Sequence, residues 1–221
     1  MKRIALLLCV LLLLVFAANA YAGSVIYTRT INMSTTNWTQ NLTIPKFDTT
    51  LGTLVSVSFD LKGDVQGTAK FESLDASPTT VEMDLQAMLK LQRPDHTTLV
   101  VTLPIVSTID DVTTFDGYQD YGGTSGRTHT NLSGTKTESA TTSLAGDLVL
   151  FSGTGDIVLP VVTTGISSGS GAGNLVQQFN TSAGAEATVT YNFTTVPEPS
   201  SVLSFMSGIV GITGLMIRRR K

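Results

Sequence analysis

From Val81 to Leu91 every second residue is apolar: Val81, Met83, Leu85, Ala87, Leu89 and Leu91 alternate with Glu82, Asp84, Gln86 and Lys90. Leu, Met, Gln and Lys are good helix formers. A helix, however, would scatter the six odd positions around its circumference, whereas a strand puts them all on one face. The same period of two recurs in Val55, Val57, Phe59 and Leu61, and again in Ala185, Ala187, Val189, Tyr191 and Phe193. Strands apolar on one face need a second layer to cover that face, so the pattern predicts an all-β, antiparallel β-sandwich, of which the jelly roll is one version. Further strands are expected at Ser24–Ile31, Gln66–Leu74, Thr97–Ser107, Ala145–Phe151 and Gly155–Val162. Thr, Ser, Gly and Asn fill the connections, and no helical period appears between them. Two segments break the pattern. Asp110–Gly134 reads as a polar loop, and the Gly/Ser run Gly165–Gly173 is long enough to be mobile.

The two ends of the chain are of another kind. Lys2 and Arg3 precede an apolar run from Ile4 to Ala18, followed by small residues suited to cleavage after Ala20 or Ala22. This is the n-region, h-region and cleavage site of a signal peptide, assigned to residues 1–22. Cys9, the only cysteine, lies within it, and Leu6-Leu7-Leu8 make a poor lipoprotein box. The exported chain is therefore expected to hold no disulfide and no thiol. At the other end Pro197, Glu198 and Pro199 form a stiff, extended tripeptide, since proline fixes φ and disfavours helix in the residue before it. An uncharged apolar segment, Ser201–Ile217, follows; as a helix it would be ~26 Å long against a hydrocarbon core of ~30 Å. Arg218, Arg219, Arg220 and Lys221 then end the sequence and would resist translocation, staying cytoplasmic.

Pro197-Glu198-Pro199, a membrane-length segment and a basic terminus, in that order, resemble the PEP-CTERM sorting signal of Gram-negative bacteria. The resemblance implies recognition by exosortase, loss of the helix near Pro197–Pro199, and release or attachment outside the inner membrane. It also implies company with exopolysaccharide and biofilm systems. The expected organisation is a signal peptide (1–22), a β-domain (23–194), a linker carrying the motif (195–200), a transmembrane helix (201–217) and a basic tail (218–221). Export would involve the translocon and signal peptidase, with the inner membrane as a transient station. The expected destination is the cell surface or extracellular matrix.

Charge narrows the partners. The formal net charge is -3, but between Gly23 and Ser200 eight cations face seventeen acids. That balance argues against nucleic acid, which needs a cationic patch. It fits solubility through net charge, and also divalent-ion bridging to an acidic polysaccharide.

Within the β-region, Ile44-Pro45-Lys46-Phe47-Asp48-Thr49-Thr50-Leu51-Gly52-Thr53-Leu54, shortly after Trp38, is one unusual motif. A second is Phe115-Asp116-Gly117-Tyr118-Gln119-Asp120-Tyr121-Gly122-Gly123-Thr124-Ser125-Gly126, and a third is Phe151-Ser152-Gly153-Thr154-Gly155-Asp156. With the closing strand through Val189-Thr190-Tyr191 they resemble the choice-of-anchor E family, a β-rich domain attached to different anchoring tails. That resemblance brings no enzyme activity and no ligand. In physical terms Phe47–Gly52 is expected to be a tight turn, with Asp48 accepting backbone hydrogen bonds and Phe47, Leu51 and Leu54 plugging one end of the sandwich.

Candidate binding residues are Trp38, Asp116, Tyr118, Asp120 and Tyr121. Trp38 is read first as core or rim and second as a sugar-stacking platform. The loop with Phe115, Tyr118 and Tyr121 also carries Asp110, Asp111, Asp116 and Asp120, a mixture able to stack on sugar or to ligate Ca²⁺ through hard oxygens. Its spacing fits no EF-hand, and the tyrosines equally suit capping the core. Catalytic motifs fail. Gly165-Ile166-Ser167-Ser168-Gly169 has no helix-forming sequence after it, and both histidines, His96 and His129, precede it. Those histidines have no cysteine partner, so neither zinc nor any other cofactor is expected, and His96 reads as an exposed turn residue. Asn-x-Ser/Thr sequons occur at Asn32, Asn37, Asn41, Asn131, Asn180 and Asn192, mostly as expected of a Thr- and Ser-rich chain. The expectation is a non-enzymatic exported β-domain. Its rivals are a carbohydrate-binding module for exopolysaccharide and, more weakly, a secreted hydrolase.

Overall fold

The computed structural model describes residues 22–195, so the signal segment, the Pro-Glu-Pro motif, the membrane segment and the basic tail lie outside the described residues. Ten strands and one short helix follow in order. They are β1 (Ala22–Thr35), β2 (Thr39–Pro45), β3 (Gly52–Ser73), β4 (Thr79–Gln92), β5 (Thr98–Thr102) and β6 (Ile105–Val112). After them come β7 (Gly126–Thr142), α1 (Ala145–Phe151), β8 (Asp156–Gly165), β9 (Ser168–Ser170) and β10 (Leu175–Thr195).

One sheet has the order β1-β10-β3-β7 and the other β2-β8-β4-β5, with β6 and β9 also pairing β4. Every strand pair is antiparallel. β5 and β6 run along one side of β4, and β8 and β9 along the other, as two interrupted strands. Counted so, eight strands alternate between two facing sheets in the winding of a jelly roll.

The alternation predicts the buried face well. Val81, Met83, Leu85, Ala87, Leu89 and Leu91 are all fully buried, as are Ala187, Val189 and Tyr191. Phe47, Phe59, Phe151, Tyr191 and Phe193 form a connected set of rings, the closest pairs having centroids 5.1 Å apart. Tilted pairs of this kind each add ~0.5–1.5 kcal/mol beyond their burial. A smaller cluster of Ala69, Phe71, Val81, Met83 and Val112 fills the other end.

The sheets are stitched along both edges. Arg29 Nε donates to the Thr43 carbonyl at 3.1 Å, joining β1 to β2, and the Thr102 hydroxyl donates to the Lys136 carbonyl at 3.0 Å, joining β5 to β7.

Several expectations are corrected. Ala145–Phe151 is helical, not extended: Asp147, Leu148, Leu150 and Phe151 turn inward while Val149 stays exposed, a helical spacing that a strand cannot produce. Its Asp147 carboxylate is pinned by the Arg93 guanidinium at 2.6 Å and by the Thr142 hydroxyl. Val55 points outward, because a bulge opposite Asn192 and Phe193 lets Leu54 and Val57 both face the core. Val55–Leu61 and Gln66–Ser73 belong to one continuous strand, β3, and Leu74 lies just past its end. Thr97–Ser107 is two strands, broken at Leu103-Pro104, since proline has no N–H to donate.

The polar segment Asp110–Gly134 is a loop only between residues 113 and 125, and Gly126 onward is β7. The Gly/Ser run is engaged in pairing through β9. The Phe47–Gly52 turn forms as expected, with Asp48 Oδ1 accepting from the Thr50 N–H at 2.9 Å and its hydroxyl at 2.8 Å. Gly52 adopts φ 153°, and a side chain there would meet the Thr194 carbonyl. Phe47 and Leu54 are buried as plugs, but Leu51 is 44% exposed.

Candidate functional site

The loop between β6 and β7 carries Asp116, Tyr118, Asp120 and Tyr121, and its acids accept from the protein's own backbone. Asp116 Oδ1 accepts from the Tyr118 N–H at 3.1 Å and Oδ2 from the Thr124 N–H at 3.2 Å. Those two N–H donors hold its carboxyl below the usual carboxylate range. Asp120 Oδ1 accepts from the Gly122 N–H at 2.9 Å, a local turn. Asp110 meets His129 Nε2 at 2.7 Å, and Asp111 accepts from the Thr80 hydroxyl at 2.6 Å.

The organiser of the loop is a residue that the pattern hides. Glu72 is fully buried near the end of β3, where its two oxygens accept from the Ser125 hydroxyl at 2.6 Å and the Tyr121 N–H at 2.8 Å. Tyr118 is the most exposed aromatic of the loop (75%), with Phe115 and Tyr121 half-buried. Among the described residues no group of three or more His, Cys, Asp or Glu side chains could hold a metal ion.

Trp38 packs half-buried against the main core, with its Nε1–H enclosed and unpartnered. It thus lies at the rim of the core, with part of its surface accessible. Ser167, the middle of the G-x-S-x-G sequence, ties the two sheets together. Its Oγ accepts from the Gln86 N–H of β4 at 3.0 Å and meets the Thr181 hydroxyl of β10 at 3.0 Å. His96 occupies an exposed turn with φ 66°.

Sequence reasoning missed a different feature. The outer face of the β1-β10-β3-β7 sheet is creased across its width. Both edge strands bulge near it but at different levels, β1 between Ile31 and Ser34, level with Asp64 of β3, and β7 opposite Thr68, with Asn131 at φ 57°. Between them Gly67 lets β10 approach: a Cβ there would lie 1.9 Å from the Asn180 carbonyl oxygen. The result is an open depression of about 230 Å³, lined by Met33, Gln66, Thr68, Asn131, Asn180 and Ser182 around Gly67. Two of the six sequons, at Asn131 and Asn180, line this crease, and a third, at Asn32, precedes its Met33. Each is unremarkable in sequence, and only the strand register joins them.

Fold and sites together define an all-β sandwich with a wide polar outer sheet. No family model matches the chain, and no curated protein matches it. Among solved structures, the chain is similar to the infectious bursal disease virus VP2 subviral particle at 14% identity and a TM-score of 0.26, covering 89% of this chain and 48% of that one. It is also similar to dimeric latent PorU from Porphyromonas gingivalis (10% identity, TM-score 0.26, covering 80% of this chain and 14% of that one). A third likeness is to Mud crab tombus-like virus (8% identity, TM-score 0.23, covering 85% and 99%). The chain thus spans about half or less of the first two. At such scores these likenesses add nothing to what the strand order establishes.

Proposed function

We propose that this is an exported, non-enzymatic protein of the cell surface or extracellular matrix of a Gram-negative bacterium, sorted by exosortase. Its sandwich is read as a choice-of-anchor E-like domain, jelly-roll in winding, flanked by a cleaved signal helix and a C-terminal transmembrane helix. The single observation that carries this reading is the tail: Pro197-Glu198-Pro199, the uncharged segment Ser201–Ile217 and the basic run Arg218–Lys221, in that order at the end of the sequence.

The strand register supports it. Ala22 pairs with Thr194, so the first and last described residues lie at one end of the sandwich. A signal segment and an anchor starting from the same end can occupy one membrane while the whole domain stands on its outer side. The translocon and signal peptidase handle the first, exosortase the second, and exopolysaccharide is the expected surrounding of the released domain.

Fractionation and intact-mass measurement in cells with and without exosortase test the reading. The expected result is loss of the C-terminal fragment only where exosortase is present. Retention of that fragment in both strains would sink it.

A further inference from the structure

Elsewhere on the outer face of the β1-β10-β3-β7 sheet, several polar side chains are paired across strands. Thr28 meets Thr188, Ser58 meets Thr141, Asn192 donates to Ser56, and Ser139 and Thr135 donate to Asp60 and Asp64. This cross-strand pairing stops at the crease. Among the described residues, the side chains of Gln66, Thr68, Asn131, Asn180 and Ser182 make no hydrogen bond to the protein, although they line one depression.

We propose that this crease is a binding site for a neutral polysaccharide segment. The lining offers amides and hydroxyls, each able both to donate and to accept, and sugar hydroxyls need both. It contains no charged side chain, so nothing in it favours an anionic or a cationic ligand. Met33, 41% exposed, supplies a soft apolar surface for the C–H face of a ring. About 230 Å³ is less than the ~300–1,000 Å³ usual for enclosed drug-sized sites, and the depression is open. It therefore suits one ring of a chain lying across the sheet. Four strands at ~4.8 Å spacing give the crease a length of ~14 Å from β1 to β7. The β1 and β7 bulges flank it, and bulges locally disturb the ladder and the facing of side chains.

The inference deepens the extracellular-polymer reading and rests on it only for the polymer's chemistry. The two fail separately, because tail removal and glycan binding are measured independently. The test is electrophoresis of the full chain, in detergent micelles, through gels containing dextran, galactomannan or alginate. Retardation by at least one neutral polymer is expected, stronger than by alginate. The double variant Gln66→Ala/Asn180→Ala should keep its urea midpoint and bind about tenfold more weakly, the effect of removing two neutral hydrogen bonds. Tyr118→Ala should bind like the parent. No retardation by either neutral polymer, preference for alginate, full binding by the double variant, or loss in Tyr118→Ala would each overturn the proposal.

Discussion

Tyr191 shows how one side chain can serve core, sheet contact and pH response together. Its ring is fully buried beside Tyr27, Phe47 and Phe151, and its hydroxyl donates to the Pro45 carbonyl of the facing sheet at 2.9 Å. Burial pushes the phenol well above its ordinary value of 10.0, with Tyr27 adding to the effect. A raised folded-state value means that the stabilisation is complete below pH 10 and is lost as pH climbs above it, because the unfolded chain ionises first. Tyr191→Phe is expected to lose about 1 kcal/mol at neutral pH with the hydrogen bond. Its melting temperature should then fall less steeply than the parent's above pH 10; parallel curves would refute the assignment. The inward direction of Tyr191 was legible in the alternation of β10. Its partner was not, because Pro45 lies 146 residues away on another sheet.

Elements differ in how openly they announce themselves. Strands with one buried face, β3, β4 and β10, write it as a period of two. β7 is an edge strand of Thr, Ser, Gly and charged residues, with few apolar positions facing inward, so its extended conformation comes from pairing with β3 and not from its own pattern. The helix α1 was missed for the opposite reason. Seven residues are too few to display a helical period, and its apolar run equally suits a strand.

The loop between β6 and β7 was legible as a loop, though only over residues 113–125. What its carboxylates hold was not legible, because Glu72 sits in a strand with nothing to mark it as the loop's anchor. Replacing Glu72 by Ala leaves the Tyr121 N–H and the Ser125 hydroxyl without their acceptor. A loss of about 2–4 kcal/mol in urea unfolding is expected, with early hydrogen exchange confined to residues 113–125. An unchanged midpoint would remove Glu72 from that role.

At the scale of the whole molecule, β10 is the strand on which the others depend. It lies between β1 and β3, and its pairing with β3 runs from Leu175 to Thr195, where Thr195 faces Gly52. Thr195, read from sequence as the first residue of the linker, is thus still part of the sheet. Because Thr195 already faces Gly52, the first residue of β3, removing residues 196–221 is expected to leave the melting temperature of the sandwich unchanged. A fall of more than about 3 °C, roughly 1 kcal/mol for a domain of this size, would contradict that.

The position of β10 also has a mechanical meaning. A pull on the chain end beyond Thr195 acts along the axis of a central strand hydrogen-bonded on both sides. The load is shared by its ladders with β1 and β3 at once, in shear, so the bonds cannot be opened one after another as they could at an edge. Held by its C-terminal end in moving fluid, the domain would resist unravelling at the point where the force enters.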